Sequence, residues 1–144
     1  MTLTESIDID APIDRVWSVL VDLPAYAQWN PFTYRVDGPA EEGARVVLHV
    51  DLGGMKTRQN MAVVSVSPPR ELAWSIRGTP RWMMRGQRTQ TLTDLGGGRT
   101  RYDNQEVVEG AVAPLVALFF AGRIQAGLVA VSQALKARCE SPAT

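Results

Sequence analysis

The sequence predicts an α+β fold in which a seven-stranded, curved antiparallel sheet wraps around one long C-terminal helix, with two short helices after the first strand. Three observations predict it: a change from strand to helix period near Pro12, tight-turn signals spaced through the middle of the chain, and one long apolar stripe at helical spacing near the end.

Residues 3–10 end in apolar/polar alternation, the pattern of a half-buried strand. Pro12 then suits a first helical turn and Asp14 the positive end of the helix dipole, while Ile13, Val16, Trp17 and Leu20 share a face. Pro24 ends that helix and opens a second short one through Tyr26 to Trp29, which Pro31 stops. From Phe32 to Gly110 the punctuation is that of hairpins: Gly38-Pro39 through Gly43, Leu52-Gly53-Gly54, Ser67-Pro68-Pro69, Gly78-Thr79-Pro80 and Leu95 through Gly98. Strands are expected over 32–37, 44–52, 55–67, 71–78, 85–94 and 99–109, joined as an antiparallel meander. Residues 111–138 read as helix, with Val116, Phe120, Ile124, Leu128, Val131 and Leu135 in one stripe. Gly122 and Gly127 weaken it, and a kink is expected near Gly122. Residues 139–144 read as a loose tail.

At 144 residues the chain fits a single domain, 1–144. One helix cannot cover seven strands by lying flat, so the sheet must curl around it. A curled sheet gripping one helix leaves a hollow suited to an apolar small-molecule ligand.

Composition removes several partners. Fifteen cationic and fifteen anionic side chains leave no net charge, which argues against nucleic acid or an anionic membrane surface. The cluster Arg81, Arg85 and Arg88 reads as a solvated strand edge. Cys139 is the only cysteine and His49 the only histidine, so no internal disulfide forms and no metal set is complete. No cofactor is expected. His49 reads as an ordinary surface residue. The N-terminus lacks the features of a signal peptide, and the apolar run Ala111 to Gly122 is too short to span a bilayer, so membrane insertion is not expected and the cytoplasm is the expected compartment. Self-association stays open.

The run Ile9-Asp10-Ala11-Pro12-Ile13-Asp14-Arg15-Val16-Trp17-Ser18-Val19-Leu20, followed by Trp29-Asn30-Pro31, resembles the START-like helix-grip (SRPBCC) superfamily, and within it the bacterial polyketide cyclase/dehydrase and lipid-transport group. Further likeness lies in Val64 through Trp74 and in Gly97-Gly98-Arg99-Thr100 leading to Glu106 and Gly110. The resemblance implies an internal cavity for a polyketide, lipid or aromatic metabolite. It also implies an alternative, a cofactor-independent cyclase, aromatase or dehydratase.

Register then selects candidate residues. If Leu92 faces the helix, Arg88 and Gln90 do too, and if Val108 faces inward, Tyr102, Asn104 and Glu106 follow it. A one-residue slip would send all of them to solvent. Glu106, Arg88 and Tyr102 are the candidate acid/base and electrostatic groups; Glu106 and Arg88 equally form a strut across adjacent strands. Gln90 and Asn104 are candidate orienting groups. Trp74, Val64, Val66, Phe120 and Ile124 are candidate cavity walls. Trp82 and Met84, in the run Arg81-Trp82-Met83-Met84, form a portal flap or pack locally.

Overall fold

Alternating apolar and polar residues produce seven strands in the computed structural model, which describes residues 1–142: β1 (Thr2–Ile9), β2 (Thr33–Asp37), β3 (Arg45–Leu52), β4 (Met55–Ser67), β5 (Glu71–Ile76), β6 (Arg85–Gly96) and β7 (Arg99–Glu109). They form one antiparallel sheet of order β1-β7-β6-β5-β4-β3-β2. Every neighbour except β1–β7 is a sequence neighbour, as a meander requires. The β3–β4 turn shows the local cause: Gly53 and Gly54 have φ of 64° and 95°, a region open to glycine, and Asp51 Oδ1 accepts from Gly54 N at 2.7 Å.

Two helical segments follow β1: α1 (Ile13–Val21) and a short 3₁₀ helix (Leu23–Gln28). Val16, Val19, Leu20, Leu23 and Tyr26 from this pair are buried, and Tyr26 donates its hydroxyl to Leu20 O at 2.5 Å. They plug one end of the curled sheet. The last element, α2 (Ala113–Glu140), runs as one uninterrupted helix through both Gly122 and Gly127 and extends past the expected end at 138. Residues 139 and 140 are therefore helical rather than tail, Ser141 and Pro142 follow outside the helix, and Ala143 and Thr144 lie outside the described residues.

The glycine at 127 has a positive packing role. A Cβ there would sit 2.3 Å from the Phe32 ring, so the ring lies directly on the helix backbone. Asn30 holds Phe32 in place: its buried Oδ1 accepts from Phe32 N at 3.0 Å and Thr33 N at 2.9 Å. By length and composition α2 as a whole meets the test for a membrane-crossing helix, beyond what the run 111–122 alone implied. Here its inward stripe, Ile124, Leu128, Val131 and Leu135, is buried against the sheet.

Candidate functional site

A cleft of about 400 Å³ opens at the end of the grip opposite α1, between the first half of α2 and the concave face of the sheet. Val116, Phe120 and Ile124, one turn apart on α2, form its apolar side. Phe32, Leu52, Ile76, Met84 and Val108 extend that surface onto the loops and strands. Phe120 and Ile124 were expected here. Phe32, Leu52, Ile76, Val108 and Val116 join them, and so do Arg58 and Arg77.

Arg88 and Glu106 form the floor. They are directly paired across β6 and β7, and Arg88 Nε donates to Glu106 Oε2 at 2.8 Å with the two side chains 8% and 12% exposed. The Arg88 guanidinium also stacks over the Phe32 ring, 4.7 Å from its centroid. The register therefore runs as the alternation required, with Arg88, Gln90 and Leu92 facing Glu106, Asn104 and Tyr102 across the inner face. Of the three arginines that read as one solvated edge, only Arg81 is simply exposed. Arg85 binds Glu109 at 2.9 Å on the outer face, and Arg88 is buried.

Behind the floor the core is filled. Tyr102 is fully buried and does not reach the cleft, which corrects its assignment as an acid/base group of the cavity. Its hydroxyl donates to Gln90 Oε1 at 2.6 Å and accepts from Asn104 Nδ2 at 2.9 Å. Burial pushes its pKa well above the ordinary phenol value, so it stays protonated. Gln90 and Asn104, expected as orienting groups for a ligand, belong to this inner network instead. The cause is distance: each step of two along a strand moves an inward side chain about 6.6 Å, and these residues lie one step below Arg88 and Glu106. The network is incomplete, since Gln90 Nε2, Asn104 Oδ1 and the neighbouring Trp74 Nε1 have no partner among the described residues. Turning both amides over would only exchange which of the two leaves a donor and which an acceptor unpaired.

Three wall assignments, Trp74, Val64 and Val66, and the portal-flap assignment of Trp82 change or narrow. Trp74 is 1% exposed and belongs to solid core rather than to the cleft wall. Val64 is 45% exposed, because a bulge between Val63 and Ser65 in the pairing with β5 turns it to the outer face while Val63 takes the inward place. Val66 packs partly buried against the core, away from the cleft. Trp82 is 69% exposed. Its turn is tied to the start of α2 through Ala111 N to Trp82 O and Val112 N to Met83 O, both 3.0 Å, so only Met84 of that run reaches the cleft. His49 is half-buried and bonds Asp37 at 2.9 Å, more engaged than a plain surface residue.

A seven-stranded sheet curled around a C-terminal helix, with a cleft under the helix's first turns, defines a START-like, helix-grip protein. The family model for polyketide cyclase / dehydrase and lipid transport matches residues 1–140, and the chain belongs to that family. Among solved structures it is similar to the Zhui aromatase/cyclase from Streptomyces sp. R1128, with a TM-score of 0.80 at 22% identity over 97% of this chain and 93% of that one. A START superfamily protein from Mycobacterium smegmatis superposes with a TM-score of 0.74 at 20% identity, covering 96% and 97%. Norcoclaurine synthase from Thalictrum flavum, in complex with dopamine and hydroxybenzaldehyde, gives 0.71 at 10% identity, covering 100% and 89%. At these identities the likeness is one of fold. A sequence search of curated proteins finds no match.

Proposed function

We propose that this protein binds an apolar small molecule, of the polyketide, lipid or aromatic class, in the cleft between α2 and the sheet, and that it does so in the cytoplasm without a metal or cofactor. The observation that supports this most is the apolar side of the cleft. Val116, Phe120 and Ile124 project into it from a helix that elsewhere buries its stripe completely, so apolar surface is left for a ligand to cover. Titration of N-phenyl-1-naphthylamine, whose emission rises in apolar surroundings, tests the reading. Saturable 1:1 binding, unchanged by a chelator and abolished by Phe120→Arg, is expected. Non-saturating emission, or saturation indifferent to Phe120→Arg, would place the probe elsewhere and refute the reading.

A second reading rests on Glu106. It is the only carboxylate lining the cleft among the described residues, and it sits beside a guanidinium below an apolar wall. A carboxylate there has the means to exchange a proton with a bound carbonyl compound, the requirement for cofactor-independent ring closure or dehydration. Glu106→Gln keeps shape and removes the exchangeable carboxyl proton. An enzyme would lose turnover of a reactive polyketone while keeping affinity; equal turnover in both forms would discard the catalytic reading and leave binding intact.

A further inference from the structure

We propose that the ligand of this cleft is an amphiphilic acid, with an apolar ring or chain against α2 and a carboxylate or comparable anionic group against Arg77 and Arg58; this rests on the binding reading above. The cleft has two unlike sides. Among the described residues the helix lining carries no charge, whereas the strand-side lining includes three arginines, Arg58, Arg77 and Arg88, and one carboxylate, Glu106. That carboxylate is already engaged by Arg88. Neither Arg58 nor Arg77 pairs with a carboxylate among the described residues.

Arg77 is the better placed of the two. It is half-buried, and its one side-chain bond runs from Nε to the neutral carbonyl of Met61 at 3.2 Å. That bond fixes the guanidinium and leaves the terminal nitrogens without a protein acceptor among the described residues. Arg58 is exposed at the rim.

Zero net charge conceals this arrangement. Asp8, Asp37, Glu109 and Glu140 each hold a cation of their own elsewhere. Beside the cleft, Arg123 lies against Met55 of the lining and has no paired carboxylate among the described residues. The nearby Asp51 accepts from the Gly54 amide. A cleft lined by one sign of charge on a low-dielectric wall concentrates ligands of the opposite sign. A neutral ligand would strip water from Arg77 and offer little in return. An acid restores the lost hydration with charge-assisted, two-point hydrogen bonds.

Two probes with one skeleton test this. N-phenyl-1-naphthylamine is neutral, and 8-anilinonaphthalene-1-sulfonate is the same fused-ring amine carrying one anionic group. The anionic probe should bind about tenfold or more tightly at low salt, with the gap narrowing in concentrated sodium chloride. Arg58→Met with Arg77→Met should bring the two affinities within about twofold, weakening the anionic probe and, if anything, strengthening the neutral one, while Arg77→Lys, which keeps the charge, should retain most of the preference. Equal affinity in the wild type, or a preference that survives the double substitution, overturns the inference and leaves the binding reading standing. If the double variant does not fold, the salt response and Arg77→Lys still decide: a preference insensitive to salt counts against the inference. Failure of both probes to bind the wild type removes the binding reading as well, a separately recognisable result.

Discussion

The two ends of the grip use the same helix and the same sheet and reach opposite outcomes. At the end where α2 finishes, α1 and the 3₁₀ helix close the curl, and Leu128, Val131, Leu135, Leu92, Tyr102 and Tyr26 are all buried. At the end where α2 begins, no such plug exists among the described residues, and Val116 and Phe120 from the same stripe are only half-buried. The difference lies outside the helix, in what the chain places across the mouth of the sheet. Solvent-facing Leu115, Leu118 and Phe119, 56%, 75% and 65% exposed, belong to this open end too. An apolar stripe therefore becomes core or open apolar surface according to its cover.

Truncating one residue at each end should break the symmetry most strongly. Leu128→Ala removes a side chain with no exposure and should cost about 4 kcal/mol, in the range of buried leucine truncations. Phe120→Ala removes a larger group from the open end and should cost only about 1 kcal/mol, because much of its surface is already wet. Urea denaturation with a common slope measures both. Equal costs would show that the open end is packed as tightly as the closed one.

The floor between the two ends gives the next effect. Arg88→Met leaves Glu106 without its cation at 12% exposure and should destabilise by about 3 kcal/mol. Arg88→Met with Glu106→Leu should recover most of that loss, since an apolar pair no longer leaves a charge unpaired. Were the double variant no better than the single one, the pair would be holding the floor by shape and not by charge. Gly127→Ala comes after it, at about 2 kcal/mol, because its Cβ must displace the Phe32 ring. Gly122→Ala meets nothing within 4 Å and should be neutral or slightly stabilising through helix propensity.

Much of this was readable from spacing. Alternation along 86–92 and 100–108 leaves one free choice of face, and Leu92 and Val108 settle it; Arg88 and Glu106 then follow. What alternation cannot encode is depth. Trp74, Gln90, Asn104 and Tyr102 face inward like Arg88, yet the hollow ends above them. A bulge slips the register without a distinctive residue type, so Val64 reads as inward when Val63 holds that place. Gly127 reads as a weakness in a helix, and only the Asn30-anchored Phe32 ring, nearly a hundred residues away in sequence, explains it. Arg77 and Arg58 were missed because their part in the cleft comes from where β5 stops, a boundary that single-sequence reading places loosely.

The smallest effect concerns pH and again separates the ends. The closed end holds three groups that burial keeps protonated: Cys139, whose thiol is raised from 9.0 to about 11, and the phenols of Tyr26 and Tyr102, both raised above 10.0. In the unfolded chain each returns to its ordinary value and releases its proton at lower pH. The unfolded state therefore binds fewer protons than the native state in alkaline solution, and stability falls as pH rises. The thiol contribution is fully present below about 9 and is lost as pH climbs toward about 11, while the phenols begin to act about one unit higher. Cys139→Ala should therefore lessen the alkaline decline from about pH 9 up to about 11, and Tyr102→Phe should lessen it only from about pH 10 upward, so that below about pH 10 only the thiol variant differs from the wild type. Urea midpoints taken every half unit across that window distinguish them. An early decline unchanged in Cys139→Ala would mean that the thiol end of the closed half is open to water, and the contrast between the two ends would then begin at Leu135 instead of at the helix terminus.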